Sequence, residues 1–310
     1  MTELEQAAQD YLRIRRALGF KLVSEGRLLR SFVTYMGTRD AVTVTVEYAV
    51  TWATMPGSTT PAEQAKRLRA VRGFAKYLKT IDPATELLAT DLLPSGGRSR
   101  PTPYIYTDQD IVALMTAAGR LRTRLGSATM RTLIGLLAAT GMRLGEALRL
   151  DRKDADLEHG RLIVLNSKFG KSRQLPLHPT TVAALREYLA IRDQLKPAPA
   201  TPALLIGTRG ERVTHEYAQW AFRLLRNRVG LLARPGCRPP RLHDMRHSFA
   251  VHTMLDSYRS SGDPAARLAA LSTYLGHRDP AASYWYLSAA PELLGLAANR
   301  LEQHFQEARP

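Results

Sequence analysis

The chain has 310 residues, 45% of them hydrophobic, and its 44 lysines and arginines against 28 aspartates and glutamates give a formal net charge of +16. That length suits two domains with separate cores, and the charge implies a polyanionic partner, nucleic acid first, while excluding an acidic or low-complexity disordered chain. A single cysteine, Cys237, excludes an internal disulfide framework; the start has no apolar signal core and no run approaches the roughly 18 apolar residues of a membrane span, so the chain reads as cytoplasmic, with no membrane partner.

Residues 3–17 put Leu4, Ala8, Tyr11, Leu12 and Ile14 on a helical stripe, which Leu18-Gly19-Phe20 ends. A second helix is predicted over 24–36, with Leu28, Leu29, Phe32, Val33 and Met36 inward. The β-branched residues of 45–53 suggest a strand, but the helical surroundings favour a short helix. Residues 61–80 form the clearest helix of this half, with Ala65, Leu68, Val71, Phe74, Ala75 and Leu78 as its buried stripe. Lys66, Arg67, Arg69, Arg72, Lys76 and Lys79 crowd its other sides, which with the global charge reads as a helix tracking phosphates. Residues 94–103, rich in Pro, Gly and Ser and carrying Arg98 and Arg100, read as a flexible cationic linker between a domain of residues 1–93 and one of residues 104–310.

Beyond the linker, Thr107-Asp108-Gln109-Asp110 is a helix start with capping residues, and helices follow at about 108–119, 127–139 and 143–149. The pattern then changes. Residues 161–167 and 173–178 alternate like two antiparallel strands, joined by a turn that holds Lys168 and Lys171, and a third strand is predicted before Glu158-His159-Gly160. A helix is expected at 180–195, a proline-rich loop at 197–202, and helices from 214 to the end, where Leu293, Leu294, Leu296, Ala297 and Leu301 make an apolar stripe. The fold class is therefore mainly α, with a small antiparallel sheet in the second half.

Chemistry concentrates late in the chain. His243 and Arg246 lie three residues apart, His277 sits in a Leu-Gly-His turn, and Tyr286 follows nine residues later. No acidic cluster accompanies them, so no metal or cofactor is expected. The inventory suits attack on a phosphodiester by a side-chain hydroxyl while cationic groups hold the phosphate. Arg143, just past a Thr-Gly break at a helix start, and Lys168 in the hairpin turn supply further cations.

Together these pieces resemble the tyrosine recombinase (phage integrase) family. Its first arginine lies in a T-G-x-R-x-x-E context, here Thr140-Gly141-Met142-Arg143-Leu144-Gly145-Glu146. Its hairpin lysine is matched by Ser167-Lys168-Phe169-Gly170-Lys171-Ser172-Arg173-Gln174-Leu175-Pro176, in which Ser167 and Phe169 replace glycines. Its H-x-L-R-H motif is His243-Asp244-Met245-Arg246-His247, with methionine for leucine, and its L-G-H motif is Leu275-Gly276-His277. The match spans about 107–290; the helical first half is similar to the family's core-binding domain with a weaker signature.

The resemblance implies a site-specific recombinase acting on double-stranded DNA at recombination sites, as a tetramer in the synapse, without metal or ATP. Tyr286 would form a 3′-phosphotyrosine, with Tyr284 the next choice of nucleophile. His243 would be the general base, Arg143 and Arg246 the clamp on the non-bridging oxygens, and His277 a hydrogen-bond donor to the phosphate. Lys168 would protonate the leaving oxygen, with Lys171 as its alternative. Lys171, Arg173 and Arg241 join the basic residues of the first half as expected DNA contacts. Glu146 either orients a catalytic neighbour or is a surface carboxylate. The terminal helix packs on its own domain or, as in the family, on a neighbouring protomer. A type IB topoisomerase and an inactive DNA-binding accessory protein are the competing readings.

Overall fold

The computed structural model describes residues 2–55, 60–93, 102–165, 172–233, 238–260, 263–276 and 291–307. The chain divides into two compact units, Met1–Arg100 and Pro101–Pro310. The linker expected at 94–103, with Arg98 and Arg100, lies almost wholly outside the described residues.

In the first unit, α1 (Glu3–Ala17), α2 (Val23–Gly37), α3 (Val46–Thr54) and α4 (Pro61–Leu78) enclose one core. The ambiguous stretch at 45–53 is helical. The Thr45 hydroxyl caps α3 by accepting the Tyr48 N–H at 3.3 Å, and Ala49, Trp52 and Ala53 then share a buried face, which outweighs the β preference of its valines and threonines. On α4, Leu68, Val71, Phe74, Ala75 and Leu78 are buried as the spacing predicts, whereas Ala65 is only half-buried.

The cations of α4 differ in their surroundings. Lys66, Arg69 and Lys76 are exposed, but Arg67 and Arg72 are half-buried and engaged within the unit. Arg67 donates to the Met55 carbonyl and lies over the Trp52 ring, 4.3 Å from its centroid. Arg72 donates to the carbonyls of Leu88 and Ala89 at 3.0 and 2.5 Å. A guanidinium on a long apolar stem can serve packing as readily as a phosphate, and these two tie α4 to the chain beside it.

The second unit runs α5 (Asp108–Ala118), α6 (Arg124–Thr140), α7 (Leu144–Arg149), a 3₁₀ turn (Arg152–Asp154), β1 (Ala155–Asp156), β2 (Arg161–Val164), β3 (Arg173–Pro176), α8 (Pro179–Leu195), α9 (His215–Arg228), α10 (Asp244–Arg259), α11 (Pro264–Leu275) and α12 (Pro291–Glu307). The expected cap of α5 is a reciprocal box between Thr107 and Asp110. The sheet is antiparallel in the order β1-β2-β3, with Val164 opposite Arg173, and Leu162, Val164 and Leu175 face the core. The described strands are shorter than predicted, and the turn with Lys168 and Lys171 lies outside the described residues. Buried α6 leucines and isoleucine, with Tyr188 of α8 and Met245 of α10, anchor the main core. Along α12, Leu293 is buried and Leu296 packs against the cluster of α10 and α11, while Leu294 points outward, so this helix covers its own unit.

Gly141 closes α6 in the left-handed conformation, at φ +57, and a Cβ there would lie 2.5 Å from Phe249 Cδ1. Gly141→Ala should lower the stability of this unit by about 2–4 kcal/mol, through strain and overpacking together. Gly230→Ala, at φ +68 with open space around it, should cost only about 1 kcal/mol. Denaturant midpoints of the two variants measure the difference; equal losses would remove Phe249 from the explanation.

Candidate active site

Arg143 is the residue before α7, and Glu146 in the first turn of that helix folds back on it. Glu146 Oε2 accepts the Arg143 backbone N–H at 3.0 Å, and Oε1 accepts Arg143 Nη1 at 2.8 Å. The Arg-x-x-Glu spacing is therefore a capping arrangement that also orients a cation. The same carboxylate receives Arg173 from β3, through Nη1 at 3.2 Å and Nη2 at 2.8 Å. With its side chain only 1% exposed, Glu146 is not a surface carboxylate. Burial alone would raise its pKa, but the hydrogen bonds from Arg173 and Arg143 outweigh it and hold the carboxyl at about 2.

Arg246 lies one turn into α10, buried, three residues after His243. Its Nη1 donates to the Gly141 carbonyl at 2.9 Å and its Nη2 to the Leu275 carbonyl at 2.7 Å. Arg143 Nη2 reaches the next carbonyl, Gly276, at 3.3 Å, and Arg173 Nε reaches the preceding one, Tyr274, at 2.9 Å. Three consecutive carbonyls at the end of α11 thus receive three guanidiniums from α10, the start of α7 and β3. Carbonyls in the last turn of a helix lack intrahelical donors, so this terminus is built to take cations. The chain leaves that turn into His277.

His243 stands at the start of α10 with its ring edge-on to His247, the centroids 4.9 Å apart. Part of the ring reaches solvent. The protein packed around the rest, followed by the Arg246 cation, pushes its pKa below the ordinary histidine value, although Asp244 works the other way. A neutral imidazole at neutral pH is the form that can accept a proton. Asp244, next to it and 1% exposed, is held by Arg241, whose Nη2 donates to it at 2.7 Å and whose backbone N–H donates at 2.9 Å. The Arg241 carbonyl accepts Tyr106 Oη–H at 3.1 Å, and the Tyr106 N–H donates to Ser248 Oγ at 2.8 Å, so this corner is fixed from the start of the second unit.

Of the six expected catalytic residues, Arg143, His243 and Arg246 are described: the two arginines meet at the end of α11, and His243 stands near enough to feel both charges. Lys168, His277 and Tyr286 lie outside the described residues, as do Lys171, Arg98 and Arg100 among the expected DNA contacts. Arg173 and Arg241, expected as DNA contacts, each have a carboxylate partner within the second unit. Arg173 pairs with Glu146 and is largely buried there, whereas Arg241 pairs with Asp244 and its side chain stays 43% exposed. Sequence reading missed Arg173 as a brace because its carboxylate partner lies 27 residues upstream. A cleft of about 630 Å³ lined by residues such as Ile111, Leu136, Tyr188, Met245 and Phe249 contains none of the clustered cations. No group of three or more His, Cys, Asp or Glu side chains able to hold a metal occurs among the described residues, and no described helix is long and apolar enough to cross a membrane.

Residues 105–292 match the model of the phage integrase family. The chain is 39% identical to y4rB of Sinorhizobium fredii, described as an integrase/recombinase, over 99% of both chains. It is 31% identical to the tyrosine recombinase XerD of Mycobacterium tuberculosis over 61% of this chain and 60% of that one. Among solved structures, its fold is similar to the XerH site-specific recombinase in a post-cleavage complex with its palindromic difH substrate (TM-score 0.67, 21% identity, 97% of this chain and 86% of that one). It is similar also to the Tn1549 transposon integrase in complex with transposon right end DNA (TM-score 0.68, 16% identity, 97% and 99%).

Glu146→Gln should lower the stability of the second unit at pH 7 by on the order of 3 kcal/mol, because two guanidiniums lose their shared counter-charge. The carboxyl's pKa in the folded chain lies below its ordinary 4.5, so its contribution is complete above that pH and disappears as the pH falls toward 2. The gap between wild type and variant in denaturant midpoint should therefore narrow from pH 4.5 downward. A gap that stays constant to pH 2.5 would show that the charge of Glu146 does not matter.

Proposed function

This chain belongs to the phage integrase family of tyrosine-type site-specific recombinases, and on that premise we propose that it cuts and rejoins DNA through Tyr286. Tyr286 Oη attacks the scissile phosphorus while His243 takes its proton. The P–O5′ bond breaks, Lys168 protonates the leaving 5′ oxygen, and a 3′-phosphotyrosine remains. In the second step a 5′-hydroxyl attacks that phosphorus, the bond to Tyr286 breaks, and the protons return. The number of phosphoester bonds is unchanged, so no nucleotide hydrolysis is required. Arg143 and Arg246 hold the non-bridging oxygens, and their charge does the work that a metal ion does in other phosphoryl transfers. His277 adds a hydrogen bond to the phosphate.

The observation that carries this reading is the seating of Arg143 and Arg246 on consecutive carbonyls, Gly276 and Leu275, directly before His277. Two guanidiniums from distant parts of the chain meet at the root of the segment that bears the motif tyrosine. DNA is the partner. Its recombination sites are taken in pairs by a tetramer, in the cytoplasm, with residues 1–93 as the clamping domain, 94–103 as the linker and 104–310 as the catalytic domain. Exposed Lys66, Arg69 and Lys76 are the cations of α4 that would meet a phosphate backbone. The similarity to an integrase/recombinase over nearly the whole chain supports a role in moving a mobile element.

Tyr286→Phe should abolish the covalent protein–DNA adduct on nicked genomic fragments and leave duplex binding within about threefold, since one hydroxyl is a small part of a phosphate-dominated interface. Sequencing the DNA trapped on the wild-type protein gives the cleavage site. An adduct that persists in Tyr286→Phe would move the nucleophile to Tyr284. The acid limb of the single-turnover cleavage rate reports His243. Because its pKa is lowered and its neutral form is the base, the midpoint of that limb should lie below pH 6.5. A midpoint above pH 6.5 would exclude His243 as that base.

A further inference from the structure

Arg173 is the third cation at the end of α11, and the reaction as written above does not use it. Its Nε donates to the Tyr274 carbonyl, and its two Nη atoms donate to the two oxygens of Glu146. Its side chain is 14% exposed. Glu146 Oε1 is shared, receiving Arg173 at 3.2 Å and Arg143 at 2.8 Å. Together the three side chains carry a net charge of +1.

We propose that Arg173 is a positioning residue for strand cleavage, fixing Glu146, and through it the Arg143 guanidinium, on the turn that ends α11. The proposal rests on the reading of Arg143 as a phosphate ligand. Without Arg173, the Glu146 carboxylate has only Arg143 to neutralise it. The two close into a simple ion pair, Arg143 is drawn from the Gly276 carbonyl toward the carboxylate, and the net charge facing the phosphate falls from +1 to zero. Arg173 divides the carboxylate between two guanidiniums and so leaves Arg143 both oriented and electrostatically available. It also anchors β3, the strand that leaves the hairpin turn, to the same backbone turn that seats Arg143 and Arg246. Displacing a positioned group by about 1 Å can cost roughly 100-fold in rate, while a phosphate-dominated duplex affinity is insensitive to one inward-facing cation.

The test measures single-turnover adduct formation on a nicked duplex bearing the cleavage site recovered from the trapped wild-type adduct. It uses two versions of that duplex, one with an ordinary scissile phosphodiester and one with a methylphosphonate, whose methyl group replaces a charged non-bridging oxygen. On the phosphodiester, Arg173→Ala should lose about 100-fold in rate with duplex affinity within about threefold. On the methylphosphonate, which has no such charge to neutralise, its deficit relative to wild type should shrink below about tenfold, as should that of Arg143→Ala. Arg173→Lys keeps a cation beside Glu146 and should recover at least tenfold over Arg173→Gln on the phosphodiester. Arg173→Ala cleaving like wild type would overturn the proposal, as would equal deficits on both substrates, which would mark a general loss of structure. Should Arg173→Ala not fold, Arg173→Lys carries the same comparison: a phosphodiester deficit that vanishes on the methylphosphonate supports the proposal, and one that persists overturns it. An Arg143→Ala deficit that the methylphosphonate does not relieve would sink instead the assignment of Arg143 to the phosphate.

Discussion

The last turn of an α-helix presents carbonyl oxygens that its own backbone cannot satisfy, and the site is assembled on one such turn. Tyr274, Leu275 and Gly276 offer their carbonyls to Arg173, Arg246 and Arg143 in that order. Each arginine arrives on a different element: β3, α10 and the start of α7. Position at this turn therefore fixes the separation of the cations more tightly than any direct contact among them could, since like charges repel. Gly276, at φ +67, ends α11 in the left-handed conformation that leaves its carbonyl turned toward the incoming guanidinium, and Gly141 does the same for Arg246 at the end of α6.

Several parts of this arrangement were legible in the sequence and several were not, for identifiable reasons. The helices were marked by apolar periodicity and, for α5, by the capping residues at its start, and the hairpin by alternation on either side of a glycine-containing turn. Arg143, His243 and Arg246 were singled out because a motif fixes residue types at fixed spacings, and the structure seats the two arginines on one turn. The partner of Arg173 was not legible because a basic residue beside a hairpin turn has the composition of a surface position; only the fold brings it to a carboxylate on another element. The carbonyl partners of Arg67 and Arg72 were hidden for the same reason, because a helix face shows a charge without showing the carbonyl that will take it. The three carbonyls of α11 were beyond sequence reading altogether, because any residue carries a carbonyl.

The chemistry also explains why the cleft lined by Tyr188 and Met245 is not the candidate site. A duplex is too wide to be enclosed by one unit of this size, so its phosphates must be met on an open face. There each guanidinium would lose rotational freedom and gain little Coulomb energy against water. Burying the stems and bonding the inward nitrogens to backbone and Glu146 removes that entropy loss before DNA arrives. Arg246, 3% exposed, is the extreme case. Its orientation is set by two carbonyls, so the cost of ordering falls on folding rather than on binding.

This solution carries its own electrostatic tension. The carbonyl ends of α6 and α11 together place roughly one negative charge at the site, and Glu146 adds another. Bare, the turn would repel a phosphate. Three arginines reverse the sign, and the start of α10 beside His243 adds roughly half a positive charge, leaving a net of between about one and two. A phosphodiester has one negative charge and its pentacovalent transition state two, so a field of that size favours the transition state over the ground state. The margin is narrow enough that each arginine matters by its charge as well as its contacts. An arginine that never touches the phosphate can then be as necessary as one that does, because removing it returns the turn to near neutrality.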